Sequence, residues 1–134
     1  MTGVVVDSSA IVAIITQEDG WERLTSELWS ARERLMSAAS LTESGIVMEH
    51  RSRPYGLEAV ERLMREAGLS VISLDRHDAE AAVAAWRRFG RGRHPARLNF
   101  GDCFTYALAE RTGYPILCLG NDFAQTDLQV VPPR

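Results

Sequence analysis

Four carboxylates recur at one kind of position in this sequence. Asp7 directly follows Val4-Val5-Val6. Glu43 lies shortly after the apolar stretch 35–38. Asp102 comes two residues after Phe100 in Asn99-Phe100-Gly101-Asp102, and Asp122 follows 116–119 and Gly120-Asn121. Taken singly, each acid has an ordinary structural use. Asp7 suits a helix N-cap, Glu43 the third position of a capping box, and Asp102 and Asp122 a first helical turn, where the dipole favours negative charge. Brought together, the same acids would repel one another and raise each other's pKa, a cost that a divalent cation removes. Hard oxygen donors favour Mg2+ or Mn2+. Such a cation polarises a phosphodiester, generates hydroxide from water and stabilises the leaving oxygen. His50, His77 and His94 show no paired metal spacing, which argues against zinc.

Whether the acids meet depends on the elements that carry them. Val4-Val5-Val6 is a β-branched run of the kind that forms a strand buried on both faces. Asp7-Ser8-Ser9 offers N-caps, and residues 10–15 continue as a short apolar helix. The spacing of Trp21, Leu24 and Leu28 predicts an amphipathic helix over residues 18–34, then a second strand at 35–38. Ser40-Leu41-Thr42-Glu43 is a capping-box pattern opening a helix that ends before Pro54. Residues 57–67 read as a helix stopped by Gly68, and 70–74 as a strand. Asp75 caps a helix reaching Phe89, and Gly90-Arg91-Gly92-Arg93-His94-Pro95 is a loop. Asn99 opens a helix closed by Gly113. Residues 116–119 form a strand, and 129–131 a last short one before Pro132-Pro133.

Strands alternating with helices specify an α/β fold, here a three-layer α/β/α arrangement around a central, mostly parallel sheet. Ligand sites in such sheets lie at the carboxyl ends of the strands. Asp7, Glu43 and Asp122 follow strands and gather at that edge. Asp102 joins them if its helix starts there.

The bulk numbers set bounds. A chain of 134 residues, 46% hydrophobic and 25% charged, fits one globular domain over its full length. No stretch approaches the ~20 apolar residues of a membrane span, and Met1-Thr2-Gly3-Val4 lacks the features of a signal peptide, so the expected compartment is the cytoplasm. The two cysteines, Cys103 and Cys118, sit in apolar contexts and read as buried thiols. Net charge is −3, yet no acid falls between Glu80 and Asp102, a window holding Arg87, Arg88, Arg91, Arg93, His94 and Arg97. That segment is either a local phosphate-binding surface or a solvated helix end where Arg favours the dipole. All 15 basic residues are Arg. The absence of lysine excludes a P-loop and Schiff-base chemistry from this chain.

The four acidic blocks, in this order and spacing, resemble the VapC toxins of the PIN-domain family. The matching stretches are Val4-Val5-Val6-Asp7-Ser8-Ser9-Ala10, Leu41-Thr42-Glu43, Leu98-Asn99-Phe100-Gly101-Asp102-Cys103 and Leu119-Gly120-Asn121-Asp122-Phe123, together spanning nearly the whole chain. The resemblance implies a PIN-like fold and a ribonuclease that cuts single-stranded or loop RNA with Mg2+ or Mn2+. It implies Asp7 and Asp102, helped by Glu43 and Asp122, as the metal ligands holding one or two cations, with Glu43 orienting water, Asp122 as the fourth acid, and Asn121 or Asp127 to substitute or assist. Ser8 or Ser9 and Asn99 would hydrogen-bond behind the ligands or simply cap helices. Arg91, Arg93 and His94 would hold the RNA backbone. The resemblance further implies a homodimer and a small VapB-like antitoxin whose tail occupies a groove. Such a groove is expected between the 18–34 and 57–67 helices, with Trp21, Trp29 and Met64 either in its wall or in ordinary core. Trp86 reads as core.

Three rivals stand beside this reading. A signalling receiver domain would need a lysine after a late strand, and none exists. A metal-dependent hydrolase of small phosphate esters would need a closed pocket rather than an open groove. A catalytically silent binding module would keep the fold without the chemistry.

Overall fold

The computed structural model describes residues 3–131. The expectations placed on Met1-Thr2 and Pro132-Pro133 lie outside the described residues. The valine run forms β1 (Gly3–Val6), buried at every position. It is followed by α1 (Ser8–Thr16), α2 (Trp21–Ser30), β2 (Glu33–Ser37), α3 (Ala38–Arg51), α4 (Gly56–Ala67), β3 (Ser70–Ile72), α5 (Arg76–Phe89), α6 (Phe100–Thr112) and β4 (Ile116–Leu117). The strands form one parallel sheet in the order β3-β2-β1-β4. Val5 pairs with Leu35 on one side and Ile116 on the other. The sheet is thus extended in one direction from β1 to β2 and β3, and in the other to β4. The carboxyl ends of β1 and β4 flank the point where the strand order reverses, where open α/β sheets bind ligands.

The period of two along β1 divides the core into two layers. Val4 and Val6 face Ile11, Leu24, Leu28, Met48 and Val60 of α1 to α4. Val5 faces the opposite side, where Ala82, Phe89, Tyr106 and Leu108 of α5 and α6 pack with Leu98. The expected three-layer α/β/α architecture with a parallel sheet is therefore present.

Several local expectations are corrected. The helix expected over 18–34 is only α2, entered through Gly20 in a left-handed conformation. It stops at Ser30 because Ala31 is extended, and Arg34 instead pairs with Val4 in β2. The Ser40 capping box is not used. Ser37 ends β2 and caps α3 directly, its hydroxyl accepting from the Ser40 N–H at 3.1 Å. Glu43 therefore sits in the second turn of α3 rather than at its cap. The hydroxyl of Ser40 is buried against Thr105 at 3.1 Å instead. Among the described residues the expected last strand is reduced to a bridge between Val130 and Ile116, and β4 leaves the ladder after Leu117. Trp86 is 42% exposed rather than core.

Candidate active site

Asp7 ends β1 and caps α1. Its carboxylate accepts the Ser9 N–H at 3.0 Å and the Thr105 hydroxyl at 2.9 Å. The residue is buried. Ser40 on α3 and Thr105 on α6 share a hydrogen bond, so the two helices that flank Asp7 are locked behind it. Ser9 contributes a second tie, its hydroxyl accepting from the Leu119 N–H at 3.0 Å. That contact fixes the turn after β4 against α1.

Asp102 is the third residue of α6 and closes a reciprocal capping box with Asn99. Asn99 N–H donates to the Asp102 carboxylate at 3.0 Å, and Asp102 N–H to the Asn99 side chain at 2.9 Å. Its pKa is nevertheless pushed up to about 7. Burial is the largest cause, partly opposed by the Asn99 N–H, and the negative charges of Asp7, Glu43 and Asp122 add to it. The structure thus places Asp102 within electrostatic reach of the other three predicted acids. Capping and clustering are both real at Asp102.

Glu43 reaches this cluster from the second turn of α3. The Ser8 hydroxyl donates to it at 2.8 Å. Its carboxylate lies against Gly101 so closely that a Cβ there would stand 2.5 Å from an Oε and 3.0 Å from Cδ. A Cβ there would push the Glu43 carboxylate away from the start of α6. Sequence reading passed over Gly101; its signal was a glycine directly before a first-turn aspartate, where helix propensity would choose otherwise. Asp122 is exposed, in the turn that Gly120 opens with φ of +90°, with Asn121 exposed beside it. Asp127 does not join the acids. It accepts from the Tyr106 hydroxyl at 2.6 Å and from Arg88 at 3.2 Å, contacts that hold its pKa below the usual carboxylate value.

The thiols behave as expected. Cys103 and Cys118 are buried and unpaired. Burial first, then neighbouring acids, pushes them up to about 11 and about 12, so neither is a nucleophile near neutral pH.

Whether a cation fits is a question of donor chemistry and geometry. Among the described residues no three His, Cys, Asp or Glu side chains form a preassembled cage. Asp7, Glu43 and Asp102 are each engaged by a local donor instead. The donors are nonetheless all hard oxygens whose charges oppose one another. Mg2+ typically takes one or two carboxylates and keeps its waters, so a full protein cage is not required. In donor type, the residues present fit such an ion.

The Arg segment adjoins the site through the chain itself. Its loop is pinned at the neck, Arg91 N–H donating to Leu98 at 2.9 Å and Leu98 N–H to Phe89 at 2.9 Å, and it runs straight into Asn99. Arg91 is exposed. Arg93 lies over the Trp86 ring at 4.8 Å. His94 has a structural task, Nδ1 accepting from the Ala96 N–H at 3.0 Å with its ring edge-on to Phe89.

The groove expected between α2 and α4 is not formed by those helices, because α1 packs between them. Met64 packs on the core, and Trp29 is exposed with Arg34 over its ring at 5.8 Å. The large apolar groove lies instead between α3 and α6, about 770 Å³, lined by Glu43, Ile46, Asn99, Phe100 and Phe104 among others. Among the described residues no helix is long and apolar enough to cross a membrane.

Comparison with known proteins agrees with this geometry. Residues 4–128 match the family model described as PIN domain. The chain is 43% identical over 126 residues to VapC ribonuclease Mb2780c of Mycobacterium bovis, covering 93% of this chain and 96% of that protein. It is 42% identical over 127 residues to Ribonuclease VapC of Mycolicibacterium smegmatis, covering 95% and 98%. A crystal structure of Mycobacterium tuberculosis VapC20, titled a sarcin-ricin loop cleaving toxin, superposes with a TM-score of 0.75 at 19% identity, covering 97% of this chain and 99% of that one. A toxin–antitoxin complex from Klebsiella pneumoniae gives 0.68 at 15% identity, covering 98% of each. These two structures share the fold. The chain belongs to the PIN-domain family and, within it, to the VapC ribonucleases.

Proposed function

We propose that this chain is a metal-dependent endoribonuclease, the toxin of a toxin–antitoxin pair, hydrolysing RNA phosphodiester bonds with Mg2+ or Mn2+. The observation that carries this reading is the gathering of Asp7, Glu43 and Asp122 around Asp102, whose pKa is pushed up to about 7 by burial first and by their charges in addition. A protein stabilised only by caps has no reason to crowd carboxylates in this way. A bound divalent cation supplies charge to the phosphoryl group and lowers the pKa of water. Asp7, immobilised by Thr105 and Ser9, and Asp102, held by Asn99, are the residues to hold it. Glu43, steadied by Ser8, orients the attacking water and takes up its proton. Asp122 adds negative charge at the exposed rim. Arg91 and Arg93 bind the RNA backbone.

A VapB-like antitoxin is the partner in this reading, consistent with the fold shared with a toxin–antitoxin complex, and a homodimer acting in the cytoplasm is the proposed working form. A small-ester phosphatase is the second reading. The open groove beside Glu43, rather than a closed pocket, favours RNA over it.

The test is cleavage of structured RNA with and without Mg2+ or Mn2+, beside Asp7→Ala and Asp102→Ala. Metal-dependent cleavage that both substitutions abolish in folded protein is the expected result. A folded, metal-loaded wild type that cuts no RNA would sink the reading.

A further inference from the structure

One aromatic feature is left unused by the acid cluster. Phe100, the first residue of α6, is 80% exposed although it is among the most apolar side chains of the chain. It stands on a ridge. On one side is the groove that holds Glu43 and Asn99. On the other is a hollow of about 190 Å³ between α5 and α6, lined by Val83, Trp86, Cys103 and Phe104. The ring is braced from below by Phe104, edge to face at 5.2 Å, so its outer surface is held in place and open.

Trp86 continues the feature along α5. Gly90 has no side chain, and a Cβ there would collide with the Trp86 ring. The indole therefore lies against the backbone with its outer face covered by the Arg93 guanidinium at 4.8 Å. Arg93 is anchored in that pose by donating from Nε to the Arg87 carbonyl at 3.2 Å. The result is a planar cation fixed on an aromatic base, in a segment that carries Arg87, Arg91 and Arg97 and no acid between Glu80 and Asp102.

The geometry points to a base-stacking track for single-stranded RNA on the α5–α6 face, with Phe100 beside the acids and the Arg93–Trp86 stack beyond it. This rests on the ribonuclease reading and gives its substrate a path. Unpaired bases stack on aromatic rings and on guanidinium planes whatever their identity, and the flanking Arg residues meet the phosphates. Positive charge interleaved with exposed rings fits a polyanion that carries flat bases. A second copy of the chain docking symmetrically on this face would bring the same Arg-rich segment up to itself. Paired RNA cannot use the track, because its bases are already stacked.

The test combines kinetics, binding and assembly state on the full chain. The variants are Phe100→Leu, which keeps an apolar side chain at an exposed site, and Arg93→Lys, which keeps the charge and loses the planar stack. The substrate is a short unstructured RNA carrying a fluorescent base analogue. The expected result is a KM raised about tenfold for Phe100→Leu, the order of one lost base stack, with kcat little changed. Arg93→Lys should raise KM several-fold. Analogue quenching on binding, read in an Asp102→Asn background to prevent cutting, should be lost with Phe100→Leu. Unchanged KM and quenching in both variants, with wild type still cleaving, overturn the track and leave the ribonuclease reading intact. Wild type that neither binds nor cuts the RNA ends both. A wild-type dimer that Phe100→Leu converts to monomer overturns the track in favour of a second copy on this face.

Discussion

Replacing Asp102 with asparagine should make the metal-free protein more stable while ending its activity. The folded carboxyl releases its proton at about 7 and the ordinary value is 3.8. Between those values the folded state binds more protons than the unfolded chain, so stability falls as pH rises through this window. Above it the ionised side chain costs up to ~4 kcal/mol, and about half that once solvent screening at its partly exposed position is allowed for. Asparagine removes the charge and keeps an oxygen to accept the Asn99 N–H, which the wild-type carboxylate does at 3.0 Å. The capping box should survive. The assay is thermal unfolding in chelator from about pH 5 to about pH 8. Asp102→Asn should unfold at the higher temperature at the alkaline end, by roughly 5 °C for ~2 kcal/mol, with the gap closing toward the acidic end. Asp102→Ala should gain less, because losing the acceptor costs ~1 kcal/mol. Added Mg2+ should stabilise wild type and leave Asp102→Asn nearly unmoved. A wild type whose stability is flat across that pH range, or an asparagine variant no more stable than it at the alkaline end, would refute the argument that charge crowding defines this site.

Two further substitutions probe how the acids are held. Gly101→Ala should cut cleavage at least tenfold with little loss of helix stability, because the new Cβ would stand 2.5 Å from a Glu43 oxygen; activity assays and a melt on the same preparation check this. Thr105→Val removes the donor that meets Asp7 at 2.9 Å and should destabilise the fold by about 1–3 kcal/mol. It should also weaken Mg2+ binding, measured by calorimetry, because Asp7 loses its orientation.

The fold was legible where one local signal dominated. The valine run, Asp75, the Asn99–Asp102 pair and the left-handed Gly68 and Gly113 stops all act within a few residues, and each produced the expected element. Boundaries failed where tertiary contacts outweighed a local pattern. Helical spacing carries through Arg34, yet Arg34 is claimed by pairing with Val4. The Ser40 capping box is a good local motif, but Ser40 is spent on Thr105 across the core. Trp86 was misread for the same reason: the collision that Gly90 avoids and the cover that Arg93 provides are set by a loop closure no periodicity reports. Strand–acid order pointed to Asp7, Glu43 and Asp122 at one edge, whereas the place of Asp102 beside them depended on where α6 starts. The parts that hold the cluster, Thr105 and Gly101, were not legible, because each acts on a residue far away in sequence.

Those silent parts explain how one set of residues can cap helices and still serve a cation. Asp7 and Asp102 each satisfy an N–H at the start of a helix, and α1 and α6 both begin at the carboxyl edge of the sheet. The positive ends of two helix dipoles therefore converge on the acids and make their negative charge tolerable without a metal. The compensation is incomplete, since Asp102 remains pushed up to about 7. That remaining penalty, from burial first and then from the charges of Asp7, Glu43 and Asp122, is what a divalent ion could relieve. An acid placed for capping alone would be fully satisfied by its helix and would gain little from a cation.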